Sequence, residues 1–514
     1  MKRTATIDDQ SLNSRAIRYG IWAYPALLLI MAAVSHFAIL SNDSFPLQWQ
    51  AEHLSLHDPA SFFNGFFPIG YPLLLRITDL FGNPYTLLEI FQILLAGLYL
   101  KKVWAFIQPL FGSTISPIAT VFIVFSPQLI RAELSAVPDF FAALFVLFAI
   151  VKIVEGGRHL DRIAGVYLGL GLLFRAHVLA FIVGISIALI IVEWRAGLRR
   201  TADICVAAIP FLIVQGLIQV WSGHDFFENL QAFNVWKAMH GVDWANPPSH
   251  FSATIFQVIT AEPSLFLHTY VSLLASAFYL IIPLFIFLVI AVWKGERRDP
   301  LVPLSLAALF YLLIIVIGGS PRSVLLVMPI VITSVFAIIR FVLQNDLLTE
   351  SRNRIAIILS VVLALIASVA MLFGAIHAAQ RVATYNDLQQ ALHISLPEQV
   401  NAVYSDDFAL YFPALADATP RTSGGWAELG LPEYLHEYPH ISDSTSEIFY
   451  AALQQNRIGF AVFRNPAVDA RMLNYAKNDT GHFIRVPFTG PFTIYKLQQE
   501  DSISSKLGRV AMYP

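Results

Sequence analysis

Cysteine is almost absent from this chain, with Cys205 alone among 514 residues. That excludes a disulfide framework and a thiolate metal site. Charge is scarce too: 13% of residues are Asp, Glu, Lys or Arg, where soluble domains usually carry about 25%. Several short catalytic signatures are also missing. No G-x-S-x-G, H-E-x-x-H or C-x-x-C occurs, and the glycines of "GGSPRS" (318–323) belong to no strand–helix fingerprint for a nucleotide. The formal net charge of −2 points to no partner, and no nucleic acid is expected. Neither repeats nor low-complexity tracts are visible.

Apolar residues are abundant instead. They make up 56% of the chain, and the mean hydropathy is +0.63. This is the composition of a polytopic α-helical membrane protein. A span needs about 20 apolar residues, because each adds ~1.5 Å toward roughly 30 Å of hydrocarbon. Eleven segments qualify: Ile21–Leu40, Tyr85–Leu100, Ser113–Ile130, Val137–Val151, Ile163–Phe174, Ala176–Val192, Ala202–Val220, Ser264–Val292, Leu301–Ile317, Ser323–Phe341 and Ile355–Phe373. The fifth is short, and the eighth is long enough to tilt or to begin outside the bilayer. No small-residue cleavage site follows the first run, which is therefore expected to stay as a span.

Lysine and arginine give the orientation. With the N-terminus inside, eighteen fall in the inner segments and five outside, namely Arg76, Arg131, Arg175, Lys237 and Arg322. That bias obeys the positive-inside rule, and an odd span count then puts the C-terminus outside. Residues 1–376 form the expected transmembrane domain, with 41–84 as its first outer loop. Residues 377–514 change character. Short strand-like runs such as "VNAVYSDDFALYF", "IGFAVFRN" and "HFIRVPFTGPFTIYKL" alternate with Gly, Pro, Asn and Asp, as in a small extracytoplasmic α/β domain.

Acids and histidines gather on the outer side, while the inner loops hold only His159 among the histidines. The chemistry is expected to face outward. Asp43, just beyond the first span in "SNDSFPLQW", suits two roles. It could cap a short surface helix through "PLQWQAEHLSLH", or it could act as a general base. His53 and His57 stand four residues apart on that helix and would share a face. Without a clear third ligand they read as polar contacts or exposed residues rather than a metal site. Arg131, Arg175 and Arg322 lie at outer span ends. Each is either an interfacial anchor or a clamp on an anionic headgroup, for which the guanidinium has the donor geometry.

Taken in order, these residues resemble a known superfamily, the C-type membrane glycosyltransferases that use polyprenyl-phosphate sugars. The resemblance is nearest to bacterial protein mannosyltransferase-like, aminoarabinose transferase-like and lipopolysaccharide-core transferase-like proteins. It is carried by Asp43 after the first span, "PIGYPLLL" (68–75), "RAELSAVPDFF" (131–141), "GLGLLFRAHVLAFI" (169–182) and "GGSPRSVLLVMPIVI" (318–332). There are departures: Ser44 stands where a second acid is common, Ser323 replaces a Tyr, and Ile69 replaces a Pro.

The resemblance implies inverting transfer of a sugar from a polyprenyl-phosphate donor to a hydroxyl of a glycan, lipid or protein acceptor. Such a protein would sit in the cell (inner) membrane and act on its periplasmic or extracellular side. Asp43 would be the base, and Arg131, Arg175, Arg322 and Lys237 would hold the donor phosphate. Glu133, Asp139, His53, His57 and Tyr71 would contact substrate. No cofactor and no metal are implied. A transporter, or an O-antigen ligase or polymerase acting on lipid-linked glycans, is the rival reading. The former predicts paired interrupted spans, the latter a large late outer loop.

The topology can be checked by thiol labelling. In a Cys205→Ser background, Lys477→Cys should react with a membrane-impermeant maleimide in intact cells. His159→Cys should react only after lysis, and the opposite pattern would overturn the orientation.

Overall fold

The computed structural model describes residues 7–35, 47, 50–51, 54–63, 67–82, 84–135, 137–224, 226, 231–240, 254–296, 299–316, 321–342, 362–376, 380, 402–405, 446–455, 458–465, 470–488 and 492–498. The chain forms two compact units, Met1–Gly241 with Ala253–Ala379, and Val242–Ser252 with Gln380–Pro514.

The first unit is helical among its described residues. In chain order it contains α1 (Ile7–Val34), α2 (Gly70–Asp79), α3 (Pro84–Val124), α4 (Pro127–Leu134), α5 (Asp139–Glu155) and α6 (Arg158–Leu172). There follow α7 (Val178–Glu193), α8 (Arg195–Trp221), α9 (Gln231–His240), α10 (Ile255–Ala261), α11 (Pro263–Ser276), α12 (Phe278–Trp293), α13 (Leu301–Ile315) and α14 (Met328–Val342). The last is α15 (Val362–Ile376). Short 3-10 turns at Pro59–Phe62 and Pro321–Leu326 interrupt the connections.

By length and composition, three of these helices could cross a membrane: Ile17–Val34, Thr86–Gly112 and Arg195–Trp221. The number rises to five if each of two bent pairs counts as one span, and five shorter apolar helices accompany them. The breaks have local causes. Gly112 sits at φ 70° and ψ −162° inside α3, a conformation that glycine adopts without steric cost. Helix α3 therefore runs past Leu100, where the sequence pattern ended the span, and turns only at Gly112. Pro127 forces Ser126 into an extended conformation, so α3 and α4 meet at 52°. Glu262, before Pro263, also leaves the helical region (φ −137°, ψ 67°), and α10 and α11 meet at 106°. The expected long span Ser264–Val292 is two helices, parted at Ala277 (φ −88°, ψ 4°).

A further difference concerns "NGFFPIGYPLLLR" (64–76). Its prolines and glycines read as helix breakers, yet helix α2 starts at Gly70. Pro72 falls in the first turn, where its missing N–H has no helical acceptor to lose. Gly70 donates its backbone N–H to the Leu173 carbonyl at 2.8 Å. Ile69 N–H reaches Gln215 Oε1 at 3.3 Å. This segment is thus tied to the α6–α7 turn and to α8, not laid loosely over the bundle.

One end of the first unit is closed by charge. Arg200 donates to Asp161 (3.0 Å), to Glu193 (2.8 Å) and to the Ile153 carbonyl (2.6 Å), so α5, α6, α7 and α8 are bound together. Arg158 and Arg162 both reach Asp203 on α8, at 3.1 and 2.8 Å. Asp161 is buried, so this clasp lies partly out of water.

The second unit contains β1 (Ala402–Ser405), α16 (Ser446–Gln455), β2 (Ile458–Arg464), α17 (Ala470–Asn478), β3 (Phe483–Val486) and β4 (Phe492–Leu497). Its four strands lie in the order β1-β2-β4-β3. β1 pairs parallel with β2, and both β2–β4 and β3–β4 are antiparallel. Phe460, Val462, Phe492 and Ile494 alternate onto one buried face, as a period of two requires. The Phe449 ring of α16 stacks on Phe483 at 5.9 Å.

Packing at Gly70 is directly testable. A Cβ there would stand 2.6 Å from the Leu173 carbonyl oxygen, whereas one at Gly374 would meet nothing within 4 Å. Gly70→Ala should lower stability by about 1–3 kcal/mol in denaturation of the detergent-solubilised chain. Gly374→Ala should stay within about 1 kcal/mol of wild type. Equal effects would contradict this packing.

Candidate functional site: a buried ion pair at one end of the bundle

Opposite the Arg200 clasp, the start of α5 meets the turn between α6 and α7. Asp139 is the first residue of α5, and Arg175 lies in that turn. Arg175 Nη2 donates to Asp139 Oδ2 at 2.6 Å, and the two side chains are only 12% and 5% exposed. An acid at a helix N-terminus is favoured by the helix dipole, which helps to explain a carboxylate in this place. The guanidinium also stands over the Phe67 ring, 5.5 Å from its centre, just before α2. Charge-assisted contact on one side and an aromatic face on the other fix its orientation.

Two further elements complete the surroundings. Tyr311 of α13 is fully buried and close enough to feel both charges. Its hydroxyl donates to the Ser323 carbonyl at 2.7 Å, which binds α13 to the 3-10 turn at 321–326. Phe174 stacks on Phe141 at 5.0 Å, and Tyr71 meets Phe141 edge-on at 6.0 Å. Asp139 and Phe67 hold Arg175 directly, and Tyr311 with the 321–326 turn stands nearby.

Beside it lies a second polar layer that sequence reasoning missed. Gln92 on α3 accepts from Tyr71 (3.0 Å) and donates to the carbonyls of Ala132 (3.2 Å) and Ser135 (3.0 Å). One turn away on the same helix, Glu89 is 2% exposed, and its Oε1 has no hydrogen-bond partner among the described residues. The Tyr24 hydroxyl lies 2.5 Å from Glu133 Oε2 and 2.8 Å from the Val124 carbonyl. For Glu89 the available signal was an acid inside the apolar run Tyr85–Leu100, which is costly in hydrocarbon and marks a site by default.

The residues expected to act together fall in different places. Asp139 and Arg175 are joined. Arg322 belongs to the 321–326 turn that Tyr311 holds, although its side chain lies outside the description. Arg131 is exposed in the last turn of α4, and Lys237 is partly buried on α9. Asp43 and His53 lie outside the described residues.

Three expectations need correction. Tyr71, expected to contact substrate, is fully buried, because α2 turns it inward to bond Gln92. Glu133, also expected to contact substrate, is carried by α4 into the interior against Tyr24. His57 is not on a helix. It occupies an exposed turn closed by the Ser55–Asp58 bridge, with its N–H on Ser55 Oγ at 3.2 Å, so no helical face shared with His53 forms there. Among the described residues, no group of three or more His, Cys, Asp or Glu is placed to hold a metal ion.

Known proteins resemble the chain in the same region. The family model "Dolichyl-phosphate-mannose-protein mannosyltransferase" matches residues 68–219. That interval begins at the first residue of "PIGYPLLL" and contains Arg131, Glu133, Asp139 and Arg175. Asp43, Lys237 and Arg322 lie beyond it. The chain thus resembles the C-type glycosyltransferase superfamily, as its motif order implies. No curated protein sequence matches the chain.

Solved structures with a similar course include ArnT from Cupriavidus metallidurans bound to undecaprenyl phosphate. It is 13% identical, with 93% of this chain and 97% of that one covered, at a TM-score of 0.48. The apo form of that protein gives 12% identity, coverage of 92% and 98%, and a TM-score of 0.49. The archaeal oligosaccharyltransferase AglB from Archaeoglobus fulgidus, in complex with an inhibitory peptide and a dolichol-phosphate, gives 11%, 94% and 75%, and 0.44. All three TM-scores are below 0.5, and the family model is the firmer likeness.

The ion pair predicts strong coupling between its members. Arg175→Met alone should cost about 3–5 kcal/mol, because a buried carboxylate loses its partner. Adding Asp139→Asn should restore much of that loss. Chemical denaturation of the four proteins in the cycle measures this, and simple additivity would show that the two groups do not interact.

Proposed function

We propose that the chain is an inverting membrane glycosyltransferase. It takes a sugar from a polyprenyl-phosphate donor and joins it to a hydroxyl of a cell-envelope glycan, lipid or protein. The observation that carries this reading is the buried Asp139–Arg175 pair, standing inside the one segment that matches the mannosyltransferase family model. Such transfer creates negative charge on the leaving lipid phosphate. A guanidinium held in place before the reaction stabilises that charge without having to reorganise. Asp139 holds Arg175, and Phe67 covers its face.

The step balances as follows. Asp43 takes the proton of the acceptor hydroxyl, whose oxygen attacks the anomeric carbon. The bond from that carbon to the phosphate oxygen breaks on the opposite side, and its electron pair leaves with the lipid phosphate. Arg175 meets the developing charge, with Arg131, Arg322 and Lys237 as further cations for the donor. In this reading the chain is integral to the cell membrane and works on the outer face, and the donor enters sideways from the lipid. The 377–514 part stands on the same outer side.

A transfer assay with membranes containing the chain tests this. Asp43→Asn should lose about 10²–10⁴-fold in rate while still inserting and accumulating normally. Arg175→Lys keeps a charge beside Asp139 but loses the guanidinium fork, and should lose about 10²–10³-fold. Full transfer by a correctly inserted Asp43→Asn protein would remove the base from the scheme. Movement of a lipid-linked glycan without any transfer would remove the enzyme.

A further inference from the structure

A cavity of about 370 Å³ opens at the other end of the bundle, where α12 ends, α13 begins and α14 finishes. Leu301 begins α13, and Tyr311, further along the same helix, belongs to the Asp139–Arg175 end. At ~1.5 Å per residue the cavity is about 15 Å away along that helix. It is therefore separate from the site described above.

Its lining is unusual for a membrane protein. Lys294 and Arg340 share it with Glu296 and Asp299, and Leu110 and Phe341 form part of the apolar wall. Each cation is held from outside the quartet: Lys294 Nζ lies 4.7 Å from the centre of the Phe341 ring, and Arg340 Nη1 donates to the Leu110 carbonyl at 2.6 Å. That carbonyl lies just before the break at Gly112. Asp299 Oδ1 accepts the Leu301 N–H at 2.8 Å. Among the described residues no ion pair joins either cation to either acid, although all four border one space.

The plain reading of Lys294 and Arg340 is a pair of positive-inside anchors, since both stand at the C-terminal ends of apolar helices. It leaves the two acids unexplained, because acids contribute little to orientation. Two positive and two negative groups, held apart around one cavity at the end of the apolar segments, complement a zwitterion at headgroup depth. Phe285, Val289 and Val292 are exposed along one face of α12 leading to Lys294, a path for acyl chains.

We propose that this cavity binds the headgroup of an aminophospholipid, with its phosphate on Lys294 and Arg340 and its ammonium on Glu296 and Asp299. The site stands independently of sugar transfer. It gives the α12–α13–α14 end a lipid that joins three helices across their loop.

Native mass spectrometry of the full chain in detergent tests it, with phosphatidylethanolamine and phosphatidylglycerol of matched acyl chains as probes. Wild type should favour phosphatidylethanolamine by roughly tenfold, the scale of one charge-assisted hydrogen bond. Glu296→Gln, an exposed position that spares the fold, should abolish that preference while leaving phosphatidylglycerol binding intact. Lys294→Gln should weaken both lipids. If that variant fails to fold, Glu296→Gln decides alone. Equal binding of the two lipids by wild type, or a preference untouched by Glu296→Gln, would overturn the proposal. Displacement of the lipid by inorganic phosphate as readily as by phosphatidylethanolamine would show an anion site, and would overturn it too.

Discussion

A guanidinium and a carboxylate almost out of water, 2.6 Å apart, are the constraint around which the first unit is arranged. Either charge alone would be very costly in that position, so the elements that carry them must meet. α5 brings Asp139 at its first residue, and the turn after α6 brings Arg175. The same turn accepts the Gly70 N–H at Leu173, which brings in the segment holding Phe67 and Tyr71. Tyr311 then joins α13 to the 321–326 turn beside the pair. Packing and chemistry share these residues, which gives the site rigid supports rather than loops.

Charged clusters stand at both ends of this unit among its described residues, and the ends differ in kind. At the Arg200 end, carboxylates and guanidiniums neutralise one another in a clasp across α5 to α8. Around the cavity between α12 and α14, no ion pair joins the four charged groups among the described residues. At the Asp139 end, one pair is buried against the Phe67 ring, and the acids Glu89 and Glu133 are buried on α3 and α4. Helices in hydrocarbon gain little from hydrophobic association, so such polar contacts contribute much of the specificity of their packing.

Much of this was legible in the sequence, but not the pairing. Composition and apolar runs gave the helical membrane class, and motif order gave the superfamily resemblance. Asp139 and Arg175 were each singled out, yet they are 36 residues apart and nothing in periodicity joins them. Glu133 was expected to contact substrate. Its inward course depends on the bend at Pro127 and on Tyr24, 109 residues earlier. The break at Ala277 has no Gly or Pro to announce it, whereas those at Pro127 and Pro263 do. Gly70 read as a breaker because its partner, the Leu173 carbonyl, is visible only in three dimensions.

The central claim is that the Asp139–Arg175 end receives the phosphate of a lipid-linked sugar. A cryo-electron microscopy map of the full chain with a polyprenyl phosphate tests it most directly. The account predicts phosphate density within hydrogen-bonding distance of the Arg175 guanidinium. Phosphate density elsewhere, with Arg175 enclosed by Asp139 and Phe67 and out of reach of the lipid, would contradict it.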